Sequence, residues 1–309
     1  MTLRTWILAL GLALAGPAAL AAPGPAESPL VTTEWLEKNL DAPKLRIVEV
    51  SVEPGLYERG HIPNAQNVAW HTDLVETVTR DIASPEKFQA LVQRLGIDRD
   101  TTVVLYGDNN NWFAAWGAWV FAQNGLVDNV KLLDGGRKKW EAEKRPLDTR
   151  SVQLAPSRFN VAERSGALRA RLADVLAVAK GERDARILDI RSPDEFSGKI
   201  VAPPGVQELA IRSGHIPGSA NVPWGKAVNP DGTIKPVAEL RALYAAAGID
   251  GSKPVITTCR IGERSSHTWF VLTRLLGYEA KNYDGSWTEY GNTVGVPIAN
   301  PAGTVWGGK

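Results

Sequence analysis

The chain has 309 residues, more than one ordinary hydrophobic core holds, which points to about two domains. A content of 44% hydrophobic and 22% charged residues is that of a globular chain and excludes a disordered one. A formal net charge of +1 excludes the broad positive field that gathers nucleic acid, so any anion site must be built locally from a few arginines.

The first element is a leader. Arg4 precedes the uncharged apolar run 6–15, Ala19-Leu20-Ala21 has the small-x-small form of a cleavage site, and the Pro/Gly-rich stretch 22–29 follows. The run falls short of the ~20 residues a spanning helix needs, and no cysteine near the cleavage site offers a lipid anchor. Residues 1–21 are therefore read as a signal peptide, and the mature protein as membrane-free and periplasmic or secreted. The chain has one cysteine, so the exported fold does not rely on an internal disulfide.

Short apolar runs follow at 46–50, 102–106 and 130–133, with an amphipathic helical pattern at 85–95. The polar stretch 147–162, which contains Pro156 and lacks periodicity, reads as a linker. Further apolar runs stand at 186–190 and 255–258, with helical patterns at 237–247 and 264–276. Runs without strict alternation suit a parallel sheet covered on both faces, and strand–helix alternation predicts doubly wound α/β domains.

The landmarks occur twice. Gly60-His61-Ile62-Pro63 answers Gly214-His215-Ile216-Pro217, and Asp134-Gly135-Gly136 with Trp140 answers Asp284-Gly285-Ser286 with Trp287. Two copies of about 130 residues are a duplication rather than a solenoid. The domains are placed at 30–146 and 163–300, and the second copy carries a Pro/Gly-rich insertion between Phe196 and Gly214. His61 and His215, each two residues before a proline, read as turn residues.

The chemistry concentrates at 254–266. An apolar strand runs into Cys259, a short loop with Gly262 follows, and a helix begins, with Ser265 or Ser266 as N-cap. Ligands of open α/β sheets bind at the carboxyl ends of strands, where a helix N-terminus and loop amides favour an anion. Arg260 and Arg264 add charge. A cysteine so placed should be a thiolate of lowered pKa, a nucleophile rather than a core residue. Glu263 would oppose that thiolate and is expected to face solvent or a neighbouring arginine. Scattered histidines and one cysteine offer no metal cluster.

The segment 191–196, the two His-Ile-Pro turns, the loop Cys-Arg-Ile-Gly-Glu-Arg and Asp284-Gly285-Ser286-Trp287 resemble tandem-domain rhodaneses, most closely thiosulfate sulfurtransferases with a C-R-x-G-E-R loop. The resemblance implies two rhodanese-like domains related by duplication. The second would be catalytic, and the first degenerate, since it has Tyr106 to Asn111 and no thiol at the loop. It also implies Cys259 as nucleophile and persulfide carrier, with no cofactor. The backbone of Ile261, Gly262, Glu263 and Ser265 would form the anion nest. Arg191, Arg260 and Arg264 would bind the donor, and Trp112 and Phe113 would project towards the cleft. Asp189 would fix local backbone; a salt bridge to Glu195 is the alternative for Arg191. The implied partners are a small sulfur donor and a cyanide or thiol acceptor, and a monomer is expected. Ile261 stands where animal thiosulfate enzymes carry lysine, so a 3-mercaptopyruvate sulfurtransferase and a persulfide-carrying binding module stay open. A phosphatase-like hydrolase is disfavoured because such relatives use a longer loop.

Overall fold

The computed structural model describes residues 28–161, 164–205 and 210–305; the leader expected over 1–21 lies outside them. Among the described residues are two sheets of five strands, parallel throughout. The first is built from β1 (Leu30–Val31), β2 (Leu45–Glu49), β3 (Ala65–Asn67), β4 (Thr102–Tyr106) and β5 (Val130–Leu133), in the order β1-β5-β4-β2-β3. The second uses β6 (Arg169–Ala170), β7 (Arg186–Asp189), β8 (Ala220–Asn221), β9 (Val255–Thr258) and β10 (Ala280–Tyr283), in the order β6-β10-β9-β7-β8. The two orders are one topology repeated, as the duplicated landmarks predict.

The helices of the first half are α1 (Thr33–Lys38), α2 (Leu56–Arg59), α3 (Pro85–Arg94), α4 (Trp112–Gln123) and α5 (Gly136–Ala142). Those of the second are α6 (Leu172–Ala179), α7 (Pro193–Ser197), α8 (Val237–Ala245), α9 (Glu263–Phe270) and α10 (Ser286–Tyr290). Local chemistry starts α3: Ser84 Oγ accepts from Lys87 N at 3.2 Å, and Pro85 fills the first turn, where its missing N–H costs nothing.

Both histidine turns are structural. His61 stacks on Tyr57 at 3.8 Å between ring centroids and His215 on Phe196 at 3.6 Å. Each Nδ1 bonds the carbonyl of its stacking partner, at 2.9 and 2.6 Å. The chain then returns to clasp each turn, His61 bridging to Asp148 and His215 to Ala299.

The halves share a core. Beyond Trp112, every residue of α4 is buried, and so is every residue of α9. The two helices pack on each other across the domain boundary, and one apolar cluster runs from Val48 through Trp116 and Trp119 to Trp269 and Leu276. Helix α4 is apolar all round because it faces its own sheet on one side and the other domain on the other.

Candidate active site

Cys259 follows the last residue of β9 and is fully buried. The loop turns at Gly262, which has φ +95°; a Cβ there would lie 2.7 Å from Asp284 Oδ1, so only glycine fits. Gly262 is the N-cap of α9, and its N–H points at Cys259 Sγ, 3.2 Å away. The cap is therefore this left-handed glycine and not Ser265 or Ser266. Those serines turn back on the loop, donating to Gly262 O at 3.1 and 2.7 Å. Asn282 Nδ2 adds a bond to the same oxygen at 3.2 Å. This clamp fixes the Gly262–Glu263 peptide, the one that follows the amide facing the sulfur. Further along, the Cys259 and Arg260 carbonyls accept from Trp287 N and Thr288 N, and Cys259 N donates to Ser286 Oγ at 3.1 Å.

The arginines divide differently from expectation. Arg264 forks onto Glu195, Nη1 to Oε2 at 3.3 Å and Nη2 to Oε1 at 3.1 Å. Burial works to raise the Glu195 carboxyl, but the Arg264 charge and hydrogen bonds outweigh it and hold it below the usual range. Arg191 does not reach the sulfur, nor does it pair with Glu195. Its guanidinium is locked on Asp189 by three contacts of 2.6–3.1 Å, donates to Gly214 O at 2.8 Å and lies over the Trp287 ring. Asp189 also accepts from Arg191 N at 3.0 Å, so it does fix the local backbone. Glu49, at the same end of the first sheet, is likewise buried and paired, with Arg137 at 2.8 Å. The Asp-x-Arg motif thus fills a place that both domains reserve for a neutralised acid.

Arg260 and Ile261 line a cleft of ≈ 690 Å³ on the domain boundary, together with Trp70, Arg80 and Arg169. Arg80 reaches over from the first domain to Ile261 O and, at 3.2 Å, to Asp284 Oδ2. Asp284 also accepts from Trp116 Nε1 at 2.8 Å and Arg169 Nη2 at 3.2 Å. Of the aromatic pair, only Trp112 joins the site, lying beside Arg264 and edge-on to Trp224. Phe113 packs on Trp70, 5.1 Å between centroids, in the core.

The surroundings of the thiol act against the expected lowering of its pKa. Burial raises the Cys259 pKa first, and Glu263 adds to the rise, against Arg264 and the Ser265 hydroxyl and N–H. Glu263 is itself buried, with Oε2 3.5 Å from Sγ and Oε1 3.9 Å from Arg264 Nε, so of its two expected surroundings it has the neighbouring arginine and not the solvent. Sequence reasoning thus left out the side chain of Glu263, Glu195 as the partner of Arg264, and Asn282, Asp284, Ser286 and Arg80. The repeated Asp-Gly motif flagged Asp284 and Ser286 as landmarks; nothing local to Arg80 marks it, because its partners lie about 200 residues away in the fold's other half.

A cysteine at the carboxyl end of a central parallel strand, cupped by the amides of a glycine-capped loop in the second of two duplicated domains, defines a two-domain rhodanese-type protein. The Rhodanese-like domain family matches residues 32–143 and 172–293, and the chain belongs to that family. It is 52% identical over 274 residues to "Sulfur carrier protein TtuD" of Thermus thermophilus, covering 87% of this chain and 96% of that one. It is 53% identical over 271 residues, with the same coverage, to a Mycolicibacterium smegmatis protein named "Putative thiosulfate sulfurtransferase". Among solved structures, the 3-mercaptopyruvate sulfotransferase SseA from Escherichia coli superposes with a TM-score of 0.71 at 28% identity, over 84% of this chain and 99% of its own.

Proposed function

We propose that this protein is a sulfurtransferase that takes the outer sulfur of thiosulfate onto Cys259 and hands it to a nucleophile, cyanide or a thiol. The observation that carries this reading is the only thiol of the chain, held at 3.2 Å from the Gly262 amide in a loop that Gly262, Asn282 and Ser286 fix in place. A preset amide beside the sulfur favours negative charge there in both the thiolate and the persulfide. The Cys259 thiolate attacks the outer sulfur of thiosulfate; a new S–S bond forms, the old one breaks, and sulfite leaves with its electron pair. The acceptor then attacks the terminal sulfur, and Cys259 leaves as thiolate.

The charge that a dianionic donor meets lies in the cleft and not beside the sulfur, because Arg264 is neutralised by Glu195. Arg80, Arg169, Arg171 and Arg260 outnumber Asp81, Asp284 and Glu289 on the cleft wall, which favours thiosulfate over the singly charged mercaptopyruvate. The name of the Thermus relative favours a second reading of the same site, in which a protein takes the sulfur. Mass spectrometry after thiosulfate treatment tests both. One added sulfur, removed by cyanide and absent from Cys259→Ser, is expected; no added sulfur would overturn sulfur transfer, and sulfur that only a protein partner removes would establish the carrier.

Export and a monomeric state belong to the same proposal. Residues 1–21 carry the leader pattern, and among the described residues no helix is long and apolar enough to cross a membrane. Amino-terminal sequencing of the protein from fractionated cells, with sedimentation of the product, tests them.

A further inference from the structure

The sulfur does not sit alone. The Cys259 thiol donates to Glu263 Oε2 at 3.5 Å, and both residues are closed to solvent, at 0% and 4% exposure. We propose that Glu263 is the proton acceptor of Cys259: the thiol proton passes to its carboxylate as the sulfur becomes a persulfide and returns when that sulfur is passed on. The inference rests on the sulfur-transfer reading above.

Charge conservation in a closed site carries it. At rest the pair holds one proton and one negative charge, on the carboxylate. A persulfide, more acidic than its parent thiol, is anionic on the amide of Gly262. Two anions this close in a buried site cannot both stay ionised, and one proton shared between them is the resolution. Neighbouring groups leave that proton nowhere else to go. Arg264 Nε stands 3.9 Å from Glu263 Oε1, but the guanidinium is committed to Glu195 on α7. His267, one turn along α9, is kept neutral by burial, its pKa brought down to about 4. Asp284, behind Gly262, is engaged by Arg80, Arg169 and Trp116. Helix α4, packed across from α9, contains no ionisable side chain.

The duplicated domain supplies a comparison within the molecule. Its loop ends at Asn111 and its helix begins at Trp112, where the second loop ends at Gly262 and its helix begins at Glu263. The copy without the thiol has no carboxylate at that first helical position, which is Trp112.

The proton balance is complete. Cys259–SH and Glu263–COO⁻ become Cys259–S⁻ and Glu263–COOH; attack on thiosulfate gives Cys259–S–S⁻ and sulfite; the acceptor removes the terminal sulfur; and Cys259–S⁻ recovers the proton. Sulfur loading therefore exchanges no proton with solvent beyond the protonation of sulfite itself.

The test counts protons per sulfur loaded, by calorimetry in two buffers of different ionisation enthalpy, with loading followed by mass. The thiolate absorbance band, with Cys259→Ser as blank, fixes the resting state of the sulfur. Wild-type protein is expected to load without net release, and Glu263→Gln to release one proton per sulfur below the pH of its own thiolate band. Release of one proton by wild-type protein, or a full thiolate band in it at neutral pH, would overturn the proposal. Infrared difference spectra of wild-type protein give a readout that no variant need fold to provide. A carbonyl band of a buried neutral carboxyl should appear on loading, and its absence counts against Glu263 equally. Failure of wild-type protein to gain any sulfur overturns the sulfur-transfer reading, and this one with it.

Discussion

At the scale of single residues, the buried ion pairs set the largest effects. Arg191 and Asp189 neutralise each other inside the second domain, so Arg191→Ala leaves an uncompensated carboxylate. Breaking a buried pair costs about 3–5 kcal/mol. We expect the urea midpoint of the variant to fall accordingly, and its remaining activity with thiosulfate and with mercaptopyruvate to fall by the same factor. A loss confined to thiosulfate would return Arg191 to the donor site. His267 supplies a pH dependence. Its native pKa is depressed to about 4 by burial, whereas the unfolded side chain titrates near 6.5. Below ~6.5 the unfolded chain binds a proton that the native one does not, so stability is full above that pH. It falls as the pH drops towards 4, by roughly 3 kcal/mol at most, and then levels. Urea unfolding across this window should show the slope in wild-type protein and a shallower one in His267→Leu.

At the scale of elements, the central strands other than β10 and the helices α3, α8 and α9 were legible because their patterns are local, whereas α4, apolar all round, showed no period to read. The apolar runs at 102–106, 130–133 and 255–258 coincide with β4, β5 and β9, and the amphipathic stretch 85–95 contains α3. The short edge strands β1, β3, β6 and β8 carry two or three residues each, too few for any period to emerge. The loop after β9 was legible as a place, with its cysteine, its glycine and its arginines. The pairing inside it was not, because which acid meets which arginine depends on how α7, β10 and the first domain close over the loop. Glu263 illustrates the point: in sequence it is a charged residue at a helix start, which ordinarily faces water. It is buried because α4 covers α9. That cover is tied down by Trp116, whose indole donates to the Asp284 carboxylate. Trp116→Phe removes a bond to a charged acceptor and should cost about 1.5–3 kcal/mol. A double-mutant cycle with Asp284→Asn measures it, and near-additive losses would show that the contact couples nothing.

At the scale of the whole molecule, duplication has produced one working loop and one silent one, and the silent copy has become a wall. Its own loop keeps a sharply turned backbone through Asn109, Asn110 and Asn111, all at positive φ, with Asn111 bonded to Gly107 N and Leu133 O. Asparagine tolerates that region better than other side-chain-bearing residues. What the first domain contributes is α4 and the arm bearing Arg80, and together these leave Cys259 with no exposed surface. A sulfur with no surface is also a sulfur with a gate, and its chemistry acquires a clock. Reagents too bulky for the closed site wait for the loop to open, so their rate should climb with concentration only until opening itself sets the pace. Stopped-flow labelling with an aromatic disulfide should reach such a plateau, and Arg80→Ala, which frees Ile261 and Asp284 from the arm, should raise it. A rate that stays linear in reagent would mean that the closed site already admits the probe. The fold thus separates how reactive the sulfur is from how often it can be met, and an oxidant encounters it on the protein's schedule rather than its own.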